Sequence, residues 1–242
     1  MKIEIWSDFV CPFCYIGKRK LEEALAVFTD KERVELEFKS FQLDPNAPLY
    51  TGQNFYESMA KKFGSVEQSK QMTAGITEQA KLVGLDFRFD TMKPTNTFDA
   101  HRLTKFAAEK RKGAVLSEKL LYANFTDSKD IGSIETLLEI AEEAGLDKND
   151  VLAVLQDEQA YKKEVYADIE EARQFGITGV PYFIFNRKYA ISGAQPTEAF
   201  TQALNKVWEE EKSIKTFETL SSNNEADATC ADGSCTIPDQ KK

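Results

Sequence analysis

An α/β fold interrupted by a large all-helical insertion is the architecture this sequence predicts, and three observations lead to it. The opening residues read β-α-β, the middle of the chain keeps helical spacing almost throughout, and a short β-β-α unit follows. At 242 residues the chain is longer than the usual single domain, which suits one enlarged domain carrying an insert.

Taken in order, Lys2 to Trp6 alternates around Ile3 and Ile5 and predicts a strand. Cys11-Pro12-Phe13-Cys14 then leads into Ile16 to Leu25, a helical stretch. Pro12 suits the first helical turn, because its missing N–H would be unpaired there anyway. Val34 to Phe41 alternates apolar and polar residues and predicts a second strand, stopped by Asp44-Pro45. From about Asn54 to Phe175 apolar residues recur at helical spacing, as in Ile134, Leu137, Leu138 and Ala141. Breaks near Gly64, Gly84, Gly113, Asp127 to Gly132 and Gly145 give roughly five to seven helices. Tyr182 to Phe185 and Tyr189 to Ser192 predict a hairpin turned at Asn186-Arg187-Lys188, and Glu198 to Glu211 a last helix. The expected division is therefore 1–45 and 173–220 for the two parts of the α/β domain, 46–172 for the insert and 221–242 for a flexible tail.

Composition narrows the function. A hydrophobic content of 42% with 29% charged residues describes an ordinary globular protein. The net charge of −9, with no basic stripe, argues against a nucleic-acid partner. No run approaches membrane-spanning length, so no membrane partner is expected, and two acids in the first eight residues do not suit a secretion signal. A cytoplasmic location is the expectation. Four cysteines fall into two pairs, Cys11/Cys14 and Cys230/Cys235, and in a reducing compartment such pairs are more often catalytic, redox-sensing or metal-binding than permanent staples.

The first pair carries the chemistry. A helix start stabilises a thiolate through unpaired N–H groups and the positive end of the macrodipole, and Cys11 occupies that position. Two intervening residues let Cys14 reach Cys11, so Cys11 can attack a disulfide and Cys14 can resolve the mixed disulfide. A buried structural pair and a four-cysteine zinc site are the bland alternatives; Pro12 and the helix start favour reactivity, and the scattered setting of the pairs disfavours zinc. No metal is expected. Without a phosphate-binding glycine motif or an H-E-x-x-H pattern, no cofactor is expected either.

Strand, Cys-Pro-Phe-Cys, helix, helical insert, then Val180-Pro181 before a hairpin and a final helix resembles the DsbA-like branch of the thioredoxin superfamily over about residues 1 to 210. Ser7 to Gly17 and Asn96 to Leu103 are similar to its cytoplasmic FrnE-like group. The resemblance implies a thioredoxin-like fold and a thiol-disulfide oxidoreductase or isomerase acting on protein or peptide thiols and disulfides, with a low-molecular-weight thiol or a thioredoxin-type protein as reductant. It also implies a cis Pro181 facing the dithiol, with Val180 offering backbone hydrogen bonds to an extended peptide and Pro12 and Phe13 flanking the substrate. Phe13 stands where secreted oxidants of the branch commonly carry His. A ring that cannot carry charge removes one support of a thiolate, so a less oxidising disulfide is expected, favouring reduction or isomerisation.

Two features stay open at this level. His101, the single histidine, either packs or tunes thiol protonation, and the resemblance puts its segment at the groove. Cys230 and Cys235, with four residues including Asp-Gly between them, form either a second redox pair on a tether or an idle or metal-scavenging tail motif. Rival functions are a glutathione-dependent isomerase or transferase of the kappa-class or 2-hydroxychromene-2-carboxylate isomerase type, and a peptide-binding holdase. The former commonly carry Ser at the first catalytic position, whereas both cysteines are present here.

Overall fold

The computed structural model describes residues 1–213. Strand β1 (Lys2–Ser7) runs into helix α1 (Pro12–Ala26), and β2 (Glu35–Ser40) returns parallel to β1. Seven helices follow: α2 (Phe55–Phe63), α3 (Val66–Leu82), α4 (Phe98–Glu109), α5 (Gly113–Phe125), α6 (Ile134–Glu143), α7 (Lys148–Gln156) and α8 (Lys162–Gln174). The hairpin β3 (Tyr182–Phe185) and β4 (Tyr189–Ser192) leads to α9 (Thr197–Ser213). The four strands lie in the order β2-β1-β3-β4, with β3 antiparallel to both neighbours. Both central turn residues, Asn186 and Arg187, adopt positive φ, the geometry that matches a tight hairpin to strand twist.

The sheet's two faces explain the alternation in β1. Ile3 and Ile5 pack with Leu21 of α1, Phe183 and Phe185 of β3, and Phe200 and Leu204 of α9. Trp6 turns the other way, against Ala172 of α8, Ile177 and Ile184, and its indole N–H donates to the Asp168 carbonyl at 3.0 Å. Asp168 ties β2 to α8 and α4: its carboxylate accepts from Ser40 N–H at 2.7 Å and pairs with Lys39 at 3.4 Å and with Lys105. A larger core, including Phe87, Phe125, Leu103 and Leu137, holds the helices together and extends to Tyr15 and Ile16 of α1. Helix α1 therefore sets its first turn in one core and its later turns in the other.

The break between α7 and α8 was not expected. No glycine or proline marks Asp157 to Tyr161; a tertiary group makes the turn instead. The buried Arg102 of α4 donates to the carbonyl oxygens of Val154 at 2.6 Å and Ala160 at 2.7 Å, and also to that of Asp157. The Val154 and Ala160 carbonyls would otherwise be stranded between α7 and α8, whereas that of Asp157 also accepts from Ala160 N–H at 3.0 Å.

Candidate active site

Pro12 opens α1, as its fixed φ favours, and Cys11 is the N-cap, with extended φ −92° and ψ 111°. Backbone bonds fix the turn on both sides: Cys11 N–H donates to Asp8 C=O at 3.1 Å, and Cys14 N–H to Cys11 C=O at 3.0 Å. Both thiols are free. Their settings differ. Cys11 is only 5% exposed, yet it forms part of the wall of a cavity of about 610 Å³, together with Val10, Pro12 and Phe13. Cys14, at 3%, is not on that wall. Burial pushes the Cys14 thiol well above its ordinary range, reinforced by its hydrogen bond to Cys11; the Ser7 hydroxyl and the Asp8 backbone offset this in part. Of the two cysteines, the first borders the cavity, while the second is enclosed and held toward its neutral thiol form.

The peptide bond between Val180 and Pro181 is cis, and the loop lies over the dithiol: Cys11 Sγ–H donates to the Val180 carbonyl oxygen at 3.5 Å. Pro181 C=O is taken by Gly193 N–H at 2.8 Å, whereas Val180 N–H has no acceptor among the described residues. Gly17 makes this approach feasible. A Cβ there would lie 3.1 Å from Pro181 Cγ and 3.2 Å from Phe183 Cζ, closer than ordinary carbon contacts.

His101 does not line the cavity. It is 2% exposed, its ring lies 4.7 Å from that of Phe9, and its Nε2 is 3.5 Å from Asp8 Oδ1 without a hydrogen-bond partner. The sequence reading missed Asp8, which is itself buried. Its carboxylate accepts from Thr97 Oγ1–H at 2.9 Å and Leu43 N–H at 2.8 Å, so it fastens the loop after β2 and the start of α4 behind the dithiol. An acid among apolar residues three positions before Cys11 was the available signal. Of the nearby aromatics, Phe9, Tyr15 and Phe183 are core, and Phe13 lines the cavity. Also missed were the cavity's other walls, from the loop after β2, from α2 and α3, and from the segment before α4. Every methionine beyond the first residue, Met59, Met72 and Met92, lines it, a pattern that was readable as a group. Cys230 and Cys235 lie outside the described residues.

A helix-start dithiol, a cis-proline loop on the first sulfur and a four-stranded sheet interrupted by helices make one constellation, and the family model of the DSBA-like thioredoxin domain matches residues 2–205. The chain belongs to this family. The fold is accordingly thioredoxin-like with a helical insertion, in a family of thiol-disulfide oxidoreductases. A solved structure described as a probable DsbA oxidoreductase from Streptomyces coelicolor is similar at 40% identity and a TM-score of 0.82, covering 98% of this chain and 99% of that one. The uncharacterized protein YwbO of Bacillus subtilis is 30% identical over 207 residues, which is 84% of this chain and 95% of the relative. At the level of fold alone, the cytosolic disulfide reductase DsbM of Pseudomonas aeruginosa, solved with GSH, is 14% identical with a TM-score of 0.60, covering 89% of this chain and all of that one. No helix among the described residues is long and apolar enough to cross a membrane.

Proposed function

We propose that the protein is a cytoplasmic thiol-disulfide oxidoreductase or isomerase that works on disulfides of proteins or peptides through Cys11 and Cys14. The asymmetry of the pair carries this reading, since Cys11 fronts the cavity under the Val180 carbonyl and Cys14 is buried behind it. The Cys11 thiolate attacks one substrate sulfur, forming a mixed disulfide, and the other substrate sulfur leaves as a thiolate that takes a proton. Cys14 then gives up its proton and attacks Cys11 Sγ, closing the enzyme disulfide and releasing the second substrate thiol. Two electrons pass to the substrate. A low-molecular-weight thiol or thioredoxin-type dithiol returns them; the DsbM structure with GSH supports a thiol of the former class. In isomerisation the mixed disulfide is resolved by another thiol of the substrate, with no net transfer.

Val180 N–H and C=O would hold an extended substrate chain beside Cys11, with Pro12 and Phe13 along its path. Phe13 offers no hydrogen bond to a thiolate, which favours reduction or isomerisation over dedicated oxidation. Reduction of insulin disulfides with dithiothreitol as electron source tests the reading. Wild type should accelerate it and Cys11→Ser should not; equal rates in the two proteins, with aggregation suppressed in both, would favour a holdase instead.

A further inference from the structure

The resolving half of the reaction requires a buried sulfur to ionise, and two hydrogen-bond donors lie against that sulfur. Cys14 is 3% exposed, and both the hydroxyl of Ser7, the last residue of β1, and the backbone N–H of Asp8 face its Sγ. We propose that Ser7 Oγ–H and Asp8 N–H form a donor site for the Cys14 thiolate of the resolving step, held in place by the Asp8 carboxylate. The inference rests on the dithiol reading above and adds the groups that serve its second step.

A charge formed away from water needs fixed partners, and a donor aimed at the place where it develops is worth more there than in solvent. Ser7 is fixed by the sheet: it lies opposite Ser40 in the β1–β2 register, its C=O accepts from Phe41 N–H at 3.2 Å, and the residue is buried. Asp8 holds the turn with three separate groups. Its N–H faces Cys14, its C=O accepts from Cys11 N–H at 3.1 Å, and its buried carboxylate accepts from Leu43 N–H at 2.8 Å and Thr97 Oγ1–H at 2.9 Å, with His101 Nε2 at 3.5 Å. The side chain is thus anchored in two segments outside the dithiol turn, which leaves the peptide planes on either side of it little freedom. Cys14 is fixed from its own side by the bond from its N–H to Cys11 C=O at 3.0 Å. Hydrogen bonds to the sulfur strengthen as it becomes charged, so both donors favour the thiolate when it is needed. In that step Cys14 gives its proton to water, its thiolate attacks Cys11 Sγ, the bond from Cys11 to the substrate sulfur breaks, and that sulfur leaves as a thiolate that takes up a proton. Over the two steps the enzyme dithiol gives up two electrons and becomes a disulfide. Ser7 is then a catalytic residue and Asp8 a positioning residue.

A peptide whose single cysteine is activated as a mixed disulfide with thionitrobenzoate separates the two steps in the reduced full-length protein. Release of the coloured thiolate reads attack by Cys11, and acid quench with mass spectrometry reads the decay of the mixed disulfide between Cys11 and the peptide. The quantity compared is the ratio of the second rate to the first within one protein, from which a general loss of folded enzyme cancels. In Ser7→Ala this ratio should fall roughly tenfold or more, so that the mixed disulfide accumulates, and Ser7→Thr, which keeps the hydroxyl, should return it to within about threefold of wild type. Asp8→Ala should lower the ratio in the same way, whereas Asp8→Asn, which can still meet Leu43 N–H and Thr97 Oγ1, should restore most of it. A Ser7→Ala ratio equal to that of wild type, whether both steps are fast or both are slowed together, would overturn the proposal, as would a Ser7→Thr protein no better than Ser7→Ala. Asp8→Asn as slow to resolve as Asp8→Ala would overturn the anchoring role of the carboxylate. No release of the coloured thiolate by wild type, or equal release by Cys11→Ser, would instead overturn the dithiol reading.

Discussion

Gly17→Ala is a one-carbon change that tests how α1 and the cis-proline loop are held together. Two opposing effects decide its sign. Inside a helix, alanine is better than glycine by about 0.5–1 kcal/mol. The new methyl, however, would lie 3.1 Å from Pro181 Cγ and 3.2 Å from Phe183 Cζ, where carbon pairs prefer about 3.5–4.0 Å. Neither neighbour yields easily: Pro181 C=O is bonded to Gly193 N–H at 2.8 Å, and Phe183 is fully buried edge-on to Phe200 at 4.9 Å between centroids. Overpacking a rigid site costs about 1–3 kcal/mol, so the contact term wins by about 1 kcal/mol. For a chain of this length that lowers Tm by about 2–4 °C. Thermal and urea unfolding of the reduced variant beside wild type would measure it, with insulin reduction as a second readout, expected to fall because the methyl pushes Pro181 away from α1 and shifts Val180 over Cys11. A Gly17→Ala protein as stable as wild type or more so would show that the loop is soft there, and would refute the reasoning.

Arg102→Ala should destabilise by about 3 kcal/mol, because it leaves the carbonyls of Val154 and Ala160 without their donor between α7 and α8 and leaves that of Asp157 with only Ala160 N–H; urea unfolding checks it, and a loss under about 1 kcal/mol would mean water replaces the guanidinium freely. Cys14 makes stability depend on pH in the alkaline range. Burial raises its folded-state value above the ordinary 9.0, so its contribution is full below about pH 9 and is lost as pH rises toward the folded value, where only the unfolded thiol ionises. Between pH 8 and 10, reduced wild type should therefore lose more unfolding free energy than Cys14→Ala, and parallel losses would argue against a buried neutral thiol.

What could be read in advance, and what could not, divides along the range of the interactions. The β1 to α1 junction was legible because its determinants are neighbours in sequence: the alternation around Ile3 and Ile5, Pro12 at the first helical position, and two cysteines one helical turn apart. The hairpin was legible for the same reason, since Asn186-Arg187-Lys188 separates two short runs rich in aromatic and β-branched residues. The split between α7 and α8 was not, because the donor that satisfies its carbonyls, Arg102, lies more than fifty residues earlier in the chain. Nor was the role of Asp8. Nothing local says that a carboxylate beside the dithiol will meet Thr97 Oγ1 and Leu43 N–H, or that His101 will turn inward toward it instead of to the groove. Asp8 and Arg102 act alike in this respect. Each is a buried charged group that satisfies backbone or side-chain partners from distant segments, and each joins the helical insert to itself or to the dithiol junction. The proposed chemistry rests on two cysteines within eleven residues of sequence. The cavity beside them is assembled by loops and helices that are held in place by groups whose partners only the folded chain identifies.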